Sequence, residues 1–161
     1  MCWFDGVTHL SDLRFGAGGL IKTSEKSVYK WTFNCGQGTN TRDELLRAWT
    51  TLFLAERLTI DVIHVIGDSK IIIEWLKDRG KLQIAFLMGW IDIIKMLKNL
   101  FREIHFTHVY KELNMEAYFL SKKTLPKTEG KLEYDKKMVV SWPSKILDEI
   151  DVRCTYLYLL I

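Results

Sequence analysis

The stretch DVIHVIGDSKIIIEWLK, residues 61–77, narrows the folds open to this chain more than any other. Val62, Ile63, Val65 and Ile66 form an apolar, β-branched run suited to a strand buried on both faces. Gly67, Asp68 and Ser69 break the run, and apolar residues return at helical spacing with Ile72, Ile73, Trp75 and Leu76. A buried strand that feeds straight into a helix opens a crossover unit, the building block of α/β folds. Asp68 then has two readings. It or Ser69 caps the helix, or the acid stands in the crevice beyond the strand ends, where open α/β sheets bind ligands. Taken alone, the composition favours the cap, because strand-to-helix turns of this kind are common.

The rest of the chain supplies the context. Residues 2–8 read as a short strand, and FGAGGLIKTS and SVYKWTFNCG as two more, separated by the polar turn TSEKS. Gly16, Gly18 and Gly19 imply a bulge or a close backbone approach. From Thr39 the period changes: Leu45, Ala48, Trp49, Leu52, Ala55 and Leu58 fall on one helical face. Asn40 or Thr41 is the expected cap, with Asp43 and Glu44 near the positive end of the helix. The strand 61–67 and a helix over 70–78 follow, then a helix over 84–99, a fifth strand in EIHFTHV and a short helix in NMEAYFLSKK. The predicted fold is α/β, a five-stranded mixed sheet with three antiparallel strands, parallel additions and helices on both faces. Residues 1–123 form the expected domain. Residues 124–161, lysine-rich and carrying both prolines, are expected to form a tail with one helix at 143–151.

The 161 residues suit one domain with its own core, and the net charge of +3 permits a polyanionic partner without requiring one. Cys2, Cys35 and Cys154 form neither a disulfide framework nor a zinc pattern. A reducing, intracellular setting, cytoplasmic or nuclear, is therefore expected. The amino terminus MCWFDGV lacks the basic and apolar regions of a signal peptide. The closing CTYLYLLI is too short to span a bilayer, so no membrane partner is expected. The first strand starts almost at Met1 and the last residues are strongly apolar, which suggests a piece of a longer polyprotein. A monomer is the default expectation.

Three acids occupy comparable places. Asp5 ends the first strand in WFDGV, Glu44 lies in the first helical turn in TNTRDELLRAW, and Asp68 ends the fourth strand in VIGDSK. Singly, each has a plain explanation as a turn former, a helix-start charge or a cap. In the order FDG, N-x-x-x-E-L and GDS on a β-β-β-α-β frame they are far more specific. From about Trp3 to Lys123 the chain resembles the ribonuclease H type 1 fold, and most closely the reverse-transcriptase-like ribonuclease H domains of plant retroelements. WFDGV, GAGGLI, GTNTRDELLRAW, VIHVIGDSKIIIEWL and FTHVYKELNMEAYFLSK carry the resemblance. The last is similar to the family pattern H-V-x-R-E-x-N-x-x-A-D-x-L-(A/S)-K.

The resemblance implies a nuclease acting on the RNA strand of RNA–DNA hybrids with two Mg²⁺ ions, for which Mn²⁺ can substitute. Paired ions would activate a water and neutralise the leaving oxygen, and magnesium prefers carboxylate oxygens. Asp5 would bridge the ions, and Glu44 and Asp68 would complete one of them. His108 matches a histidine that assists proton transfer or product release, its alternative being a strand-end histidine with a satisfied hydrogen bond. Asn114 would brace the turn into the last helix within the substrate-binding set. Gly38, Thr39 and Asn40 would face RNA 2′-hydroxyls. The family's fourth acid falls on Tyr118, a poor magnesium ligand at neutral pH, so impaired catalysis is expected. Glu116 cannot replace it, being two residues away on a helix, and Glu112 lies before the helix. Lys70, Lys77, Lys81, Lys95, Lys98 and Arg79 are candidate phosphate contacts or simply a solvated face, and Trp49, Trp75 and Trp90 are expected in the core.

The alternative with the same fold is a catalytically inactive nucleic-acid-binding remnant. A serine hydrolase using Ser69 would place its GDS block on the first strand rather than the fourth, and no Asp-x-x-His pair stands near the carboxyl end. A proofreading exonuclease would want an acid where Val7 stands. A transposase would want a late glutamate, for which only Glu116 is available.

Overall fold

The computed structural model describes residues 1–141 apart from 10, 24–26, 83, 125, 127 and 136. The expected helix at 143–151 and Cys154 lie outside the described residues. Three antiparallel strands come first: β1 (Cys2–His9), β2 (Arg14–Lys22) and β3 (Val28–Gln37). Helix α1 (Asn40–Arg57) leads to β4 (Val62–Gly67) and α2 (Lys70–Leu76). A short 3₁₀ turn enters α3 (Met88–Lys98), which leads to β5 (Glu103–His108). A second 3₁₀ turn over Lys111–Leu113 enters α4 (Met115–Lys122).

The sheet differs from expectation in extent. It has seven strands rather than five, because β6 (Lys131–Tyr134) and β7 (Lys137–Ser141) extend it beyond β3. The order is β5-β4-β1-β2-β3-β6-β7. β4 and β5 are parallel to β1, and every other pairing is antiparallel. In β6, Leu132 is buried opposite Phe33 and Tyr134 lies opposite Trp31.

Helices cover both faces, and the alternation along β2 shows why. Phe15, Ala17 and Ile21 join the core cluster built with α1. Gly16 and Gly18 face α4 instead: a Cβ on Gly18 would run into the backbone of Leu120 and Ser121. The close approach implied by Gly16 and Gly18 is thus that of α4 and its carboxyl end, with a bulge between Phe15 and Gly16, whereas Gly19 lies against the Trp31 ring. The Trp49 ring stacks on Phe53 at 5.1 Å and meets Trp90 edge-on at 5.3 Å, and Trp75 is buried as well. Helix α1 is buried beyond its predicted stripe, taking in Leu46, Phe53 and Leu54, because α3 packs against the side turned away from the sheet. Each such side chain contributes about 1.5–3 kcal/mol by leaving water. The cap of α1 is Thr39, one residue before the expected pair; its Oγ1 accepts from the Arg42 N–H at 3.3 Å.

Candidate active site at the carboxyl ends of the parallel strands

Strand register brings the first site residues together. Phe4 of β1 lies beside Gly67 of β4, which lies beside His108 of β5. β4 ends there while β1 continues against β2, so Asp5 is the first β1 residue whose β4 flank is free of a strand. Asp68 follows Gly67 at the same level. Position 67 is glycine for a packing reason, since a Cβ would lie 2.6 Å from Cζ of Phe4. Ser69 is the helix-capping residue of α2 by position, but its side chain makes no capping hydrogen bond, and Asp68 is not the cap.

Asp5 is 2% exposed. Its Oδ1 accepts from the Gly6 N–H at 2.6 Å, whereas Oδ2 is buried with no hydrogen-bond partner. Burial, and then the nearby Asp68 carboxylate, push the Asp5 carboxyl up to about 6, against smaller opposing effects from the Gly6 N–H, Arg47 and Lys111. Asp5 and Asp68 therefore sense one another, the arrangement in which a shared cation relieves repulsion.

Glu44 stands just past the first turn of α1, which holds Asp43 and not, as expected, Glu44, and Asn40 Nδ2 donates to its Oε1 at 3.2 Å. Gly38, Thr39 and Asn40 form the approach to that helix, and Thr39 and Asn40 are exposed. Asn114 is buried at the start of α4. Its Nδ2 donates to the Phe4 carbonyl at 2.7 Å, which ties the helix to β1 one residue before Asp5. Its place is thus between the two elements and away from solvent. His108 Nε2 lies 3.1 Å from the Asp68 carbonyl. A carbonyl only accepts, so Nε2 carries the proton and Nδ1 is left as the basic nitrogen. That bond supplies the strand-end partner of the second reading and ties His108 to the Asp68 turn.

Sequence reasoning missed a set of cations. Arg42 and Arg47 on α1 are buried with Asp43. Arg42 bonds Asp43 Oδ1 at 3.1 Å, and burial holds the Asp43 carboxyl up near 7 despite that pairing. The Arg47 guanidinium lies against Gly6, filling the space a Cβ would take, and is within electrostatic reach of Asp5. Tyr118, on α4, has Lys111 Nζ 4.2 Å and Lys122 Nζ 4.4 Å from its ring centre. A hydrogen bond with Lys122 and the charges of both lysines hold its hydroxyl below the usual phenol range. The only advance signal for Arg42 and Arg47 is their place beside Asp43 and among the buried apolar residues of α1. Lys77 and Lys98, counted as phosphate candidates, are paired with Glu74 and Asp78.

The donor set suits a hard cation at one place. Asp5 and Asp68 offer carboxylate oxygens, one of them buried and unpartnered. The Tyr118 side does not suit a second cation, because two ammonium groups already stand there. Among the described residues, no three His, Cys, Asp or Glu side chains are drawn together closely enough to hold a metal ion. Asp5 and Asp68 are brought together, and Glu44 does not join them in such a cluster.

This sheet order, with one acid inside β1 where β4 stops, another just past the end of β4 and a last helix crossing the antiparallel half, defines a ribonuclease H-type domain. Among solved structures, RNase H1 of the halophilic archaeon Halobacterium salinarum superposes with a TM-score of 0.71 at 20% identity, over 79% of this chain and 97% of that one. The N-terminal RNase H domain of Rv2228c from Mycobacterium tuberculosis, solved as a fusion with maltose binding protein, gives 0.69 at 23% identity, over 76% and 96%. LC11-RNase H1, solved in complex with an RNA/DNA hybrid, gives 0.69 at 18% identity, over 78% and 95%. At these identities the likeness concerns the fold. No curated protein matches the sequence significantly. A family model described as reverse transcriptase-like matches residues 3–124, and the chain belongs to that family.

Proposed function

We propose that this chain is a nucleic-acid-binding domain of ribonuclease H type, whose reaction is hydrolysis of the RNA strand of an RNA–DNA hybrid and whose turnover is impaired at Tyr118. One observation carries the reading: strand register pairs Phe4 with Gly67, so that Asp5, inside β1, and Asp68, just past β4, follow at one level and sense one another, with a buried, unpartnered carboxylate oxygen on Asp5. Asp5 and Asp68 are the residues that would hold a divalent ion, and Glu44 of α1 is the third acid that the family resemblance implies, although it stands outside their cluster here. Bound Mg²⁺ or Mn²⁺ would supply an activated water and charge neutralisation at the leaving oxygen.

The chain's own groups do the rest. Asn114 fixes α4 against β1 and so holds Asp5 in place. His108 presents Nδ1 as a base beside the Asp68 turn, a group that could take a proton from an incoming water. Thr39 and Asn40 stand exposed at the start of α1, where hydroxyl and amide groups can meet 2′-hydroxyls. The alternative reading, an inactive remnant of a retroelement polyprotein that still binds nucleic acid, is favoured by the two lysines around Tyr118.

Cleavage of a labelled hybrid in Mg²⁺ and in Mn²⁺, with wild type, Tyr118→Asp and Asp68→Asn side by side, separates the two. Wild-type cleavage that Asp68→Asn abolishes makes this a working nuclease. Cleavage by Tyr118→Asp alone makes it a switched-off one. Absence of both cleavage and hybrid binding in every variant would refute the reading.

A further inference from the structure

Positive charge gathers at the rim of the Asp5–Asp68 crevice. Lys111 on the 3₁₀ turn and Lys122 on α4 are both exposed, and both place their ammonium groups over the Tyr118 ring. Lys111 and Tyr118 are each within electrostatic reach of Asp5, so the pair belongs to this crevice and not to a remote face. The other charges nearby do not cancel it. Glu116 is paired with Lys30 of β3 at 2.9 Å, and Asp5 already faces Arg47. Glu112 is exposed on the same turn as Lys111.

Two exposed rings adjoin this part of the chain: Tyr110, 74% exposed and next in sequence to Lys111, and Phe119, 55% exposed, whose ring centre lies 5.9 Å from that of Tyr118. Ammonium groups beside exposed aromatic faces match a polynucleotide strand, which offers phosphates to the former and base faces to the latter.

We propose that Lys111, Lys122 and the Tyr118 hydroxyl form a binding site for a backbone phosphate of a nucleic-acid strand, a site that works without a metal ion. The inference deepens the nucleic-acid reading above and rests on it. An ammonium held against an aromatic face is pre-positioned, so less side-chain freedom is lost when the phosphate arrives. N–H and O–H groups then give charge-assisted hydrogen bonds to the phosphate oxygens. An aspartate at position 118 would stand near both ammonium groups and offset one of their two charges. The change that favours a cation there therefore opposes this site.

The test is fluorescence anisotropy of a labelled RNA–DNA hybrid with the full chain in EDTA, over a range of salt concentrations. Wild type is compared with Lys111→Gln, Lys122→Gln, the double variant, Tyr118→Asp and a charge-loss control at the far edge of the sheet, Arg102→Gln. Thermal melts confirm folding, and Lys111→Arg checks that charge, rather than shape, matters. Expected are a loss of about tenfold or more in the double variant and a salt slope smaller by about 0.7–0.9 for each lysine removed. Tyr118→Asp should also lose affinity, while Arg102→Gln and Lys111→Arg should bind as wild type. A double variant with wild-type affinity and slope overturns the proposal, as does wild-type binding that requires Mg²⁺; in both cases the functional reading stands. Wild type that binds the hybrid neither in EDTA nor in Mg²⁺ refutes both.

Discussion

Replacing Asp5 by asparagine should make the metal-free protein more stable, with a gain that opens above about pH 4 and is complete at neutral pH. The Asp5 carboxyl titrates near 6 in the folded chain, against 3.8 as the ordinary value. Below about pH 4 the folded and unfolded states both hold the proton, and the buried site carries no penalty. Between about pH 4 and 6 the unfolded chain releases this proton while the native state, where burial and Asp68 oppose the charge, keeps it, so stability falls with rising pH and levels off once the native carboxyl ionises. At about 1.4 kcal/mol per pH step between the two values, the full effect is about 3 kcal/mol above pH 7. Asparagine has the same shape, can keep the Gly6 N–H bond and carries no charge. Asp5→Asn should thus melt with wild type near pH 4 and roughly 6–12 °C above it at pH 8, both in EDTA. Mg²⁺ added at pH 8 should raise wild type alone and narrow the gap, a readout of cation binding that needs no turnover. Parallel profiles, or a variant less stable than wild type at pH 8, would refute the reasoning. Such a result would mean that Arg47 and Lys111 outweigh burial.

Gly18→Ala should destabilise by about 3 kcal/mol in urea unfolding, because the new methyl meets the rigid backbone of α4 instead of a flexible side chain. Asn114→Ala leaves the buried Phe4 carbonyl without its side-chain donor and should cost about 1–3 kcal/mol; an unchanged midpoint would deny the tether between α4 and β1. Arg47→Met keeps most of the volume beside Gly6 but removes a cation near Asp5. Carboxyl NMR should then find Asp5 titrating above its wild-type value, and a downward move would contradict the placement of Arg47.

Much of the fold was legible in the chain. The β-branched run at 62–66, the glycines of β2 and the helical spacing after Thr39 each record a period that the backbone imposes on whatever it buries. The position of Asp68 just past the end of β4 was readable for the same reason, since it follows an apolar run and adjoins a glycine; Asp5, expected to end the first strand, lies inside β1 instead, because pairing with β2 carries that strand on to His9. Strands β6 and β7 were not, because their segment is short, lysine-rich and mixed in pattern, and it becomes a strand by pairing with β3. The full burial of α1 escaped too. Its outer side carries ordinary helix residues, and only the arrival of α3 takes them out of water.

The site divides along the same line. The sequence by itself determined which acids are present, the absence of a fourth at Tyr118, and the order of the elements that carry them. Tertiary structure alone decided their surroundings: Asp5 buried beside Asp68, Arg47 laid against Gly6, and Lys111 and Lys122 placed over one phenol. Periodicity records that a residue is covered, whereas a charge is set by what covers it, and those neighbours come from distant parts of the chain through strand register and helix packing.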